Sequence, residues 1–510
     1  MPRFTRSNLL AVLLAVSMAP GFGCSSDPAG PPPPEQTVPT VTIDDLAVIG
    51  FDATSVTVGW TVPDDRTKAA ETYDLRFTTD PNADWADWTV VPELPAPGEA
   101  GARESVTISG LTTGLDIFIR LRVGSGDDVW SVLSNELVAT PHEIIGRTIR
   151  VRADGSGDAP TLQDAVEMAV AGDLILVAPG HYRWSEQVDL ADSWHVDHGM
   201  ILLERDYQGV EIRSEGGPRV TILDAEGQGR LVFAVGYNDQ CVIDGFTIIN
   251  GVANESSNWF GGGGIIGHLS PPTIRNCVLR DNTAFGDGVV PGAGGGMWWG
   301  GVSAVRIEAC IFENNQSDWG GGLFMINSYD SAVVSRCVFR DNSATTAGGG
   351  LAIFNFDASV DHCVVVGNTS DGSGGGVWIG GGVPGTASDT VSLDHCTIVG
   401  NSSPDGSGLR VRDVDDFRIR TSIIAFGSGG AAISWNGIGM FGLGCSNIYG
   451  NPHDSPPPGT TDFGGMIHLD PLFCDWPDGG VPDGLFLEAD SPCRTATCGS
   501  IGALTAGCGG

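Results

Sequence analysis

Residues with the chemistry to bind or react recur in this chain at regular intervals. Trp298, Phe324, Ala352, Trp378 and Arg410 occupy one equivalent position after successive glycine runs. Two residues further on, the row reads Gly300, Ile326, Phe354, Gly380 and Arg412. On strands, alternation sends both rows to the same outer face. Aromatic side chains gathered on an outer face mark a binding surface, and a groove walled by tryptophan suits the flat faces of sugar rings. The candidate ligand-binding residues are therefore Trp298, Phe324, Phe354, Trp378, Arg410 and Arg412. Loops over 283–293 and 381–389 would wall the groove; if those loops or another domain cover it, the face is structural.

Acid–base and metal chemistry are less well supplied. Asp413, Asp415 and Asp416 stand among Arg410, Arg412, Arg418 and Arg420, a set explained by mutual surface ion pairs. His195, Asp197 and His198 lie close enough in sequence to meet a metal ion, but a solvated face explains them far better, and no metal site is assigned. His362 and His395 belong to repeated Asp-His-Cys phrases and are expected to stack as a two-rung outer ladder. No residue is assigned a catalytic role.

The elements that position these residues are read from the repeat itself. IRNCVLRDN (274–282), IEACIFENN (307–315), VSRCVFRDN (334–342), VDHCVVVGN (360–368) and LDHCTIVGN (393–401) place Cys277, Cys310, Cys337, Cys363 and Cys396 at intervals of 33, 27, 26 and 33 residues. A period of that size means stacked units, none of which can bury its apolar face alone. Each cysteine and the apolar residue two positions on should point inward, as small buried hydrophobes rather than ligands or disulfides. Asn282, Asn315, Asn342, Asn368 and Asn401 then fall at one corner, where amides can bond to each other and to turn backbone.

Composition narrows the partners. The 510 residues include 75 glycines and 30 prolines, are 41% hydrophobic and carry a formal charge of −36. This is a turn-rich globular chain. Its acidity argues against nucleic acid, and a polyanionic glycan would need a bridging cation; no cofactor is expected beyond such calcium. Arg3 and Arg6 precede an apolar run from Leu9 to Met18, an export signal too short to span a bilayer. Gly21-Phe22-Gly23-Cys24 resembles a bacterial lipobox, which implies lipidation at Cys24, although Gly21 stands where leucine is usual. A cleaved signal without lipidation is the alternative. A proline-rich spacer follows, and no later run is long enough to cross a membrane.

Short alternating strands fill residues 41–141, the pattern of an antiparallel sandwich. Trp60, Tyr73, the turn Leu111-Thr112-Thr113-Gly114, Trp130-Ser131 and Ser134-Asn135-Glu136 resemble a fibronectin type III domain, with Ile117 in place of the usual corner tyrosine. A strand from Ile149, the amphipathic stretch TLQDAVEMAV and the strand GDLILV resemble the N-terminal cap of right-handed parallel β-helix proteins of the pectin-lyase-like superfamily. The resemblance implies an all-β chain: a fibronectin type III-like sandwich followed by a right-handed parallel β-helix with a short N-terminal capping helix. The expected boundaries are a signal peptide (1–23), a lipid-anchored linker (24–40), the sandwich (41–141), the β-helix (145–448) and a C-terminal cap (449–510). Cys445, Cys474, Cys493, Cys498 and Cys508 are the disulfide candidates of that cap, expected to make two disulfides with one thiol left over, for which Cys241 is available.

Family catalytic motifs are missing. The Gly-His-Gly loop of polygalacturonases and the aspartate motifs of pectin methylesterases do not occur. Tyr449-Gly450-Asn451-Pro452-His453-Asp454 is similar to an Asp-Pro-His-Asp motif of alginate epimerases, but Asn451 replaces the first aspartate. Three functions stay open: a monomeric surface lipoprotein binding carbohydrate or another cell-surface polymer, held to the membrane only by its lipid; a polysaccharide lyase, hydrolase or epimerase; and a passive spacer. Two or three carboxylates within about 10 Å in the groove would favour the enzyme.

Overall fold

The computed structural model describes residues 43–504 except 44, 64–69, 125–129, 144–145, 189–198, 204–208, 238–240, 254–260, 288–289, 302–304, 327–330, 356, 382–389, 438, 475–484 and 497. Cys24, Cys508, the export signal, the segment from Trp194 to His198 and the loop over 382–389 lie outside the described residues.

Strands Ala47–Asp52, Ser55–Thr61 and Arg103–Ser109 form one antiparallel sheet; Thr72–Thr78, Thr89–Val90, Ile117–Gly124 and Leu137–Ala139 form a second. Alternation explains the packing. Val56, Val58 and Trp60 from one sheet and Ile117, Ile119, Leu121 and Val123 from the other are all buried in one core. The Trp60 ring meets the Tyr73 ring edge-on at 5.1 Å.

From Thr148 onward the chain winds into coils, and strands one coil apart pair in parallel. Three long sheets result, of twelve, ten and nine strands, with a six-stranded ladder of short strands at one corner. One coil illustrates the path: Arg306–Glu308 joins the twelve-stranded sheet, Ile311–Glu313 the ten-stranded, Gln316–Trp319 the ladder and Leu323–Ile326 the nine-stranded. Corners turn on residues in the left-handed region: Ala309 (φ 50°), Asn314 (φ 53°) and Gly320 (φ 62°). The glycine run is steric in origin, because a Cβ on Gly321 would lie 2.4 Å from the carbonyl oxygen of Gly349 in the next coil.

Inside the coils, Trp299, Phe312, Met325, Phe339 and Leu351 form part of one continuous core, and the Phe312 and Phe339 rings stack at 4.8 Å. The five repeat cysteines are buried in it. Their thiols bond backbone carbonyls, as Cys310 Sγ does to Glu308 at 3.3 Å and Cys337 Sγ to Ser335 at 3.3 Å. Burial pushes the thiols of Cys277, Cys310, Cys337 and Cys396 well above the ordinary range. The asparagines form an unbroken ladder: Nδ2 of Asn282, Asn315, Asn342 and Asn368 each donates to Oδ1 of the next at 2.9–3.0 Å.

A helix, Leu162–Met168, closes the N-terminal end. Thr161 caps it reciprocally with Asp164, and Leu162, Ala165 and Val166 turn inward. At the other end the coils run past residue 448, since Thr461–Asp462 still pairs in the twelve-stranded sheet. The C-terminal segment then folds back along the outer side of the ten-stranded sheet. There Phe486, Leu487, Ile501 and Leu504 cover Val364, Val399 and Ile423. Cys445 and Cys498 are joined, and Cys474 is also disulfide-bonded. Cys493 is the thiol left over: it is buried and accepts from Asn447 Nδ2 at 3.2 Å, and burial pushes it up to about 11. Cys241 likewise is a buried thiol.

The sandwich docks on the corner between the twelve- and ten-stranded sheets. Asn276 accepts from the Val138 amide at 3.2 Å and donates to its carbonyl at 3.1 Å. Arg336, at another left-handed corner, pairs with Glu136, donates to the Pro81 carbonyl at 2.6 Å and lies 4.1 Å over the Phe118 ring. Beneath, Glu211, Arg213, Asp244 and Arg275 form a buried ionic network. The sandwich therefore covers a different face from the aromatic rows.

Candidate functional site

The nine-stranded sheet carries the aromatic rows. Its register stacks Ile266, Trp298, Phe324, Ala352, Trp378 and Arg410 in one column, and His268, Gly300, Ile326, Phe354, Gly380 and Arg412 in the next. Met297, Trp299, Leu323 and Met325 alternate with them into the core, so the first rows do face outward. Each indole lies back along its own strand. A Cβ on Gly300 would be 2.4 Å from the tip of Trp298, and one on Gly380 2.2 Å from the tip of Trp378. Glycine two residues after each tryptophan is what lets the ring lie flat.

Trp298, Trp319, Phe324, Ile326 and Phe354 line a groove of about 410 Å³, walled by Val290 and Pro291. Trp298, Trp319, Ile326 and Phe354 are half-buried and present open ring or side-chain surface. Phe324 and Trp378 are buried. Trp378 is a floor rather than a contact: the Trp319 ring meets it edge-on at 4.9 Å, and Phe354 stacks at 6.0 Å. Arg410 and Arg412 are one coil beyond, engaged by Asp405 at 2.9 Å and by Asp413 at 3.0 Å. The residues brought together are thus Trp298, Phe324 and Phe354, with Trp378 beneath and the two arginines outside.

Trp319 is the residue the repeat did not reveal. It comes from the short corner ladder, ahead of the glycine run, so its place over Trp378 depends on how that corner folds. His268 stacks on Trp298 with centroids 6.1 Å apart, and burial lowers its pKa. Two carboxylates stand behind the groove wall and both are occupied: Asp287 accepts from the Val290 amide at 2.8 Å, and Asp318 from the amides of Gly286 (2.9 Å) and Gly292 (2.8 Å) and from the Thr345 hydroxyl (2.7 Å). Burial raises the Asp318 pKa, but its three bonds outweigh that and hold the carboxyl below the usual range. No carboxylate lines the groove among the described residues.

Other charged sets resolve into structure. Arg418 pairs with Asp416 at 2.6 Å, beside the Arg412–Asp413 pair. Asp454 accepts from the amides of Gly450 and Asn451 at 2.9 Å each, making the phrase from Tyr449 to Asp454 a turn. His362 and His395 stack at 4.6 Å as the two-rung ladder expected of them. They border a second cavity, of about 930 Å³, between sandwich and coils.

Long parallel sheets wound coil on coil make the main body of this chain a right-handed parallel β-helix. A family model described as "Right handed beta helix region" matches residues 208–384. No curated protein matches the chain by sequence. Among solved structures, a Yersinia enterocolitica Family 28 exopolygalacturonase is 10% identical, with 84% of this chain and 97% of that chain covered and a TM-score of 0.29. The pectate lyase Pel9A is 13% identical, covering 70% of this chain and 96% of its own, at a TM-score of 0.40. A chain described as "Myokine structure" is 14% identical over 20% of this chain and 98% of its own, at a TM-score of 0.16. These likenesses give no residue of this chain a role.

Proposed function

We propose that the protein is a carbohydrate-binding protein of the cell surface, exported, anchored through a lipid on Cys24 and reading its ligand with the groove on the nine-stranded sheet. One observation carries this reading: half-buried Trp298 and Trp319 present ring surface at an apolar groove of about 410 Å³. A floor of buried Phe324 and Trp378 fixes those rings before any ligand arrives, so little ordering entropy is lost on binding. The described lining offers no acid or base, which favours binding over lyase, hydrolase or epimerase chemistry. The three- plus four-stranded sandwich is a fibronectin type III-like module, and its firm docking makes it a base for the coils rather than a second binding arm.

The test is a glycan screen of the purified protein, with and without calcium, followed by an assay for product release. A bound glycan without products is the expected result. Trp298→Ala and Trp319→Ala should each weaken it by about tenfold or more, the scale of a hot-spot aromatic. If both variants bind every detected glycan as the parent does, the groove is not the site. Released product would establish the enzyme instead.

A further inference from the structure

We propose that Asp361, His362 and His395 form a site for a divalent transition-metal ion of the zinc class. The site is at the corner between the twelve- and ten-stranded sheets and is independent of the aromatic groove.

Two copies of Asp-His fall one coil apart, with Asp361 paired to Asp394 in register. Both histidines occupy the left-handed corner position (φ 49° and 46°), which turns their rings out of the sheet and stacks them at 4.6 Å. Their Nδ1 atoms face the same carboxylate. His362 Nδ1 bonds Asp361 Oδ2 at 2.9 Å, and His395 Nδ1 lies 3.9 Å from Asp361 Oδ1 and 3.4 Å from Asp394 Oδ1. The three ligand atoms of Asp361, His362 and His395 all lie within 4.8 Å of one another.

His395 Nδ1 is the atom that needs explaining. It is buried and has no hydrogen-bond partner among the described residues, although two carboxylates approach it. A metal ion among the three groups satisfies the nitrogen lone pair and neutralises the carboxylates together. Metal–ligand bonds of about 2.0–2.2 Å need ligand atoms roughly 3.4 Å apart, so the rings must close by about 1.4 Å, within side-chain rotation. Two imidazoles and one carboxylate suit zinc-class ions and disfavour calcium, which takes oxygen ligands. Both histidines border the cavity of about 930 Å³, so further coordination positions open onto space that an exogenous ligand could enter. Arg336, the cation nearby, is engaged by Glu136.

The untagged full chain, stripped with chelator and dialysed, would be titrated with zinc chloride by calorimetry and with cobalt chloride by visible absorption. One equivalent of zinc and a cobalt spectrum showing nitrogen ligation are expected, both fading as pH falls and the imidazoles protonate. Losing outer-shell partners alone costs about 10–100-fold in affinity, so His362→Gln and His395→Gln should each exceed about a hundredfold. Circular dichroism would show those variants folded. His195→Ala/His198→Ala should bind as the parent does. Absence of zinc binding tighter than millimolar, binding unchanged in both glutamine variants, or binding lost in the His195/His198 variant would each overturn the proposal. Should the glutamine variants fail to fold, the cobalt spectrum of the parent decides, because oxygen-only ligation rules the site out.

Discussion

Replacing Arg336 by methionine tests how the sandwich is held to the coils. The guanidinium is 5% exposed and meets three groups of the sandwich: Glu136, the Pro81 carbonyl at 2.6 Å and the Phe118 ring at 4.1 Å. Methionine keeps the ring contact and most of the volume but leaves Glu136 with Arg120, at 2.8 Å, as its ion-pair partner. Burial raises the Glu136 pKa, but Arg120 and then Arg336 outweigh it and hold the carboxyl below the usual range. Removing one partner of a buried pair costs about 3–5 kcal/mol, chiefly because the other charge stays buried without compensation. Because Arg120 still compensates Glu136, Arg336→Met should weaken docking by less than that, about 1–3 kcal/mol, and Arg336→Met/Glu136→Gln should cost less than the two single changes added together, since both remove the same contact. The sign with pH follows. A depressed carboxyl contributes stability above its unfolded pKa and loses it as pH falls through the folded value. In Arg336→Met the folded value rises, so acid weakening begins at higher pH. Denaturant unfolding monitored by tryptophan fluorescence, with limited proteolysis of the sandwich, measures both effects. A single variant within about 0.5 kcal/mol of the parent, or a double variant worse than the single by the full cost of each, would refute this account of the interface.

Two further expectations concern the coils. Asn342→Ala removes the bonds its side chain makes to the Phe312 carbonyl and Asn368 and accepts from the Asn315 amide and side chain, so urea unfolding should show a loss of about 3 kcal/mol; a loss under about 1 would mean the ladder is ornamental. Burial raises the pKa of Glu211, but Arg213, a bond from His142 and Arg275 bring it down from 4.5 to about 2, so its contribution of about 3 kcal/mol is present above pH 4.5 and lost as pH falls toward 2. Glu211→Gln should flatten stability against pH in that window, and identical acid limbs in variant and parent would contradict it.

Much of the coil was legible because its period is fixed by contacts with copies of itself. Cys310 and Phe312 repeat two residues apart since both point into the core, and Asn315 repeats because each amide bonds the next. The stacking of His362 on His395 could be read for the same reason. What could not be read depends on contacts between unlike parts. Trp319 joins the groove from the corner ladder, Trp378 is roofed by it, and Arg410 turns to Asp405. The corner residues Asn276 and Arg336 sit in the same repeat slot as Ala309, and nothing in the repeat says that the sandwich lands on the first two. Likewise Cys493 looked like its neighbours in sequence, but its burial against Asn447 leaves it no sulfur partner.

The sulfur atoms of this molecule are held in two different chemical states. One chain carries an oxidised pair, Cys445 and Cys498, 53 residues apart, and a file of reduced cysteines from Cys277 to Cys396. An environment that oxidises the first would oxidise the second in an open chain, where any two thiols can meet. Once wound, the coils shield these buried thiols from oxidant, and Cys445 meets Cys498 where the C-terminal segment folds back on the shaft. Winding is thus what keeps one set of sulfurs from the chemistry the other undergoes: the same repeat that stacks the coils also separates their thiols from any oxidant that joins the last pair.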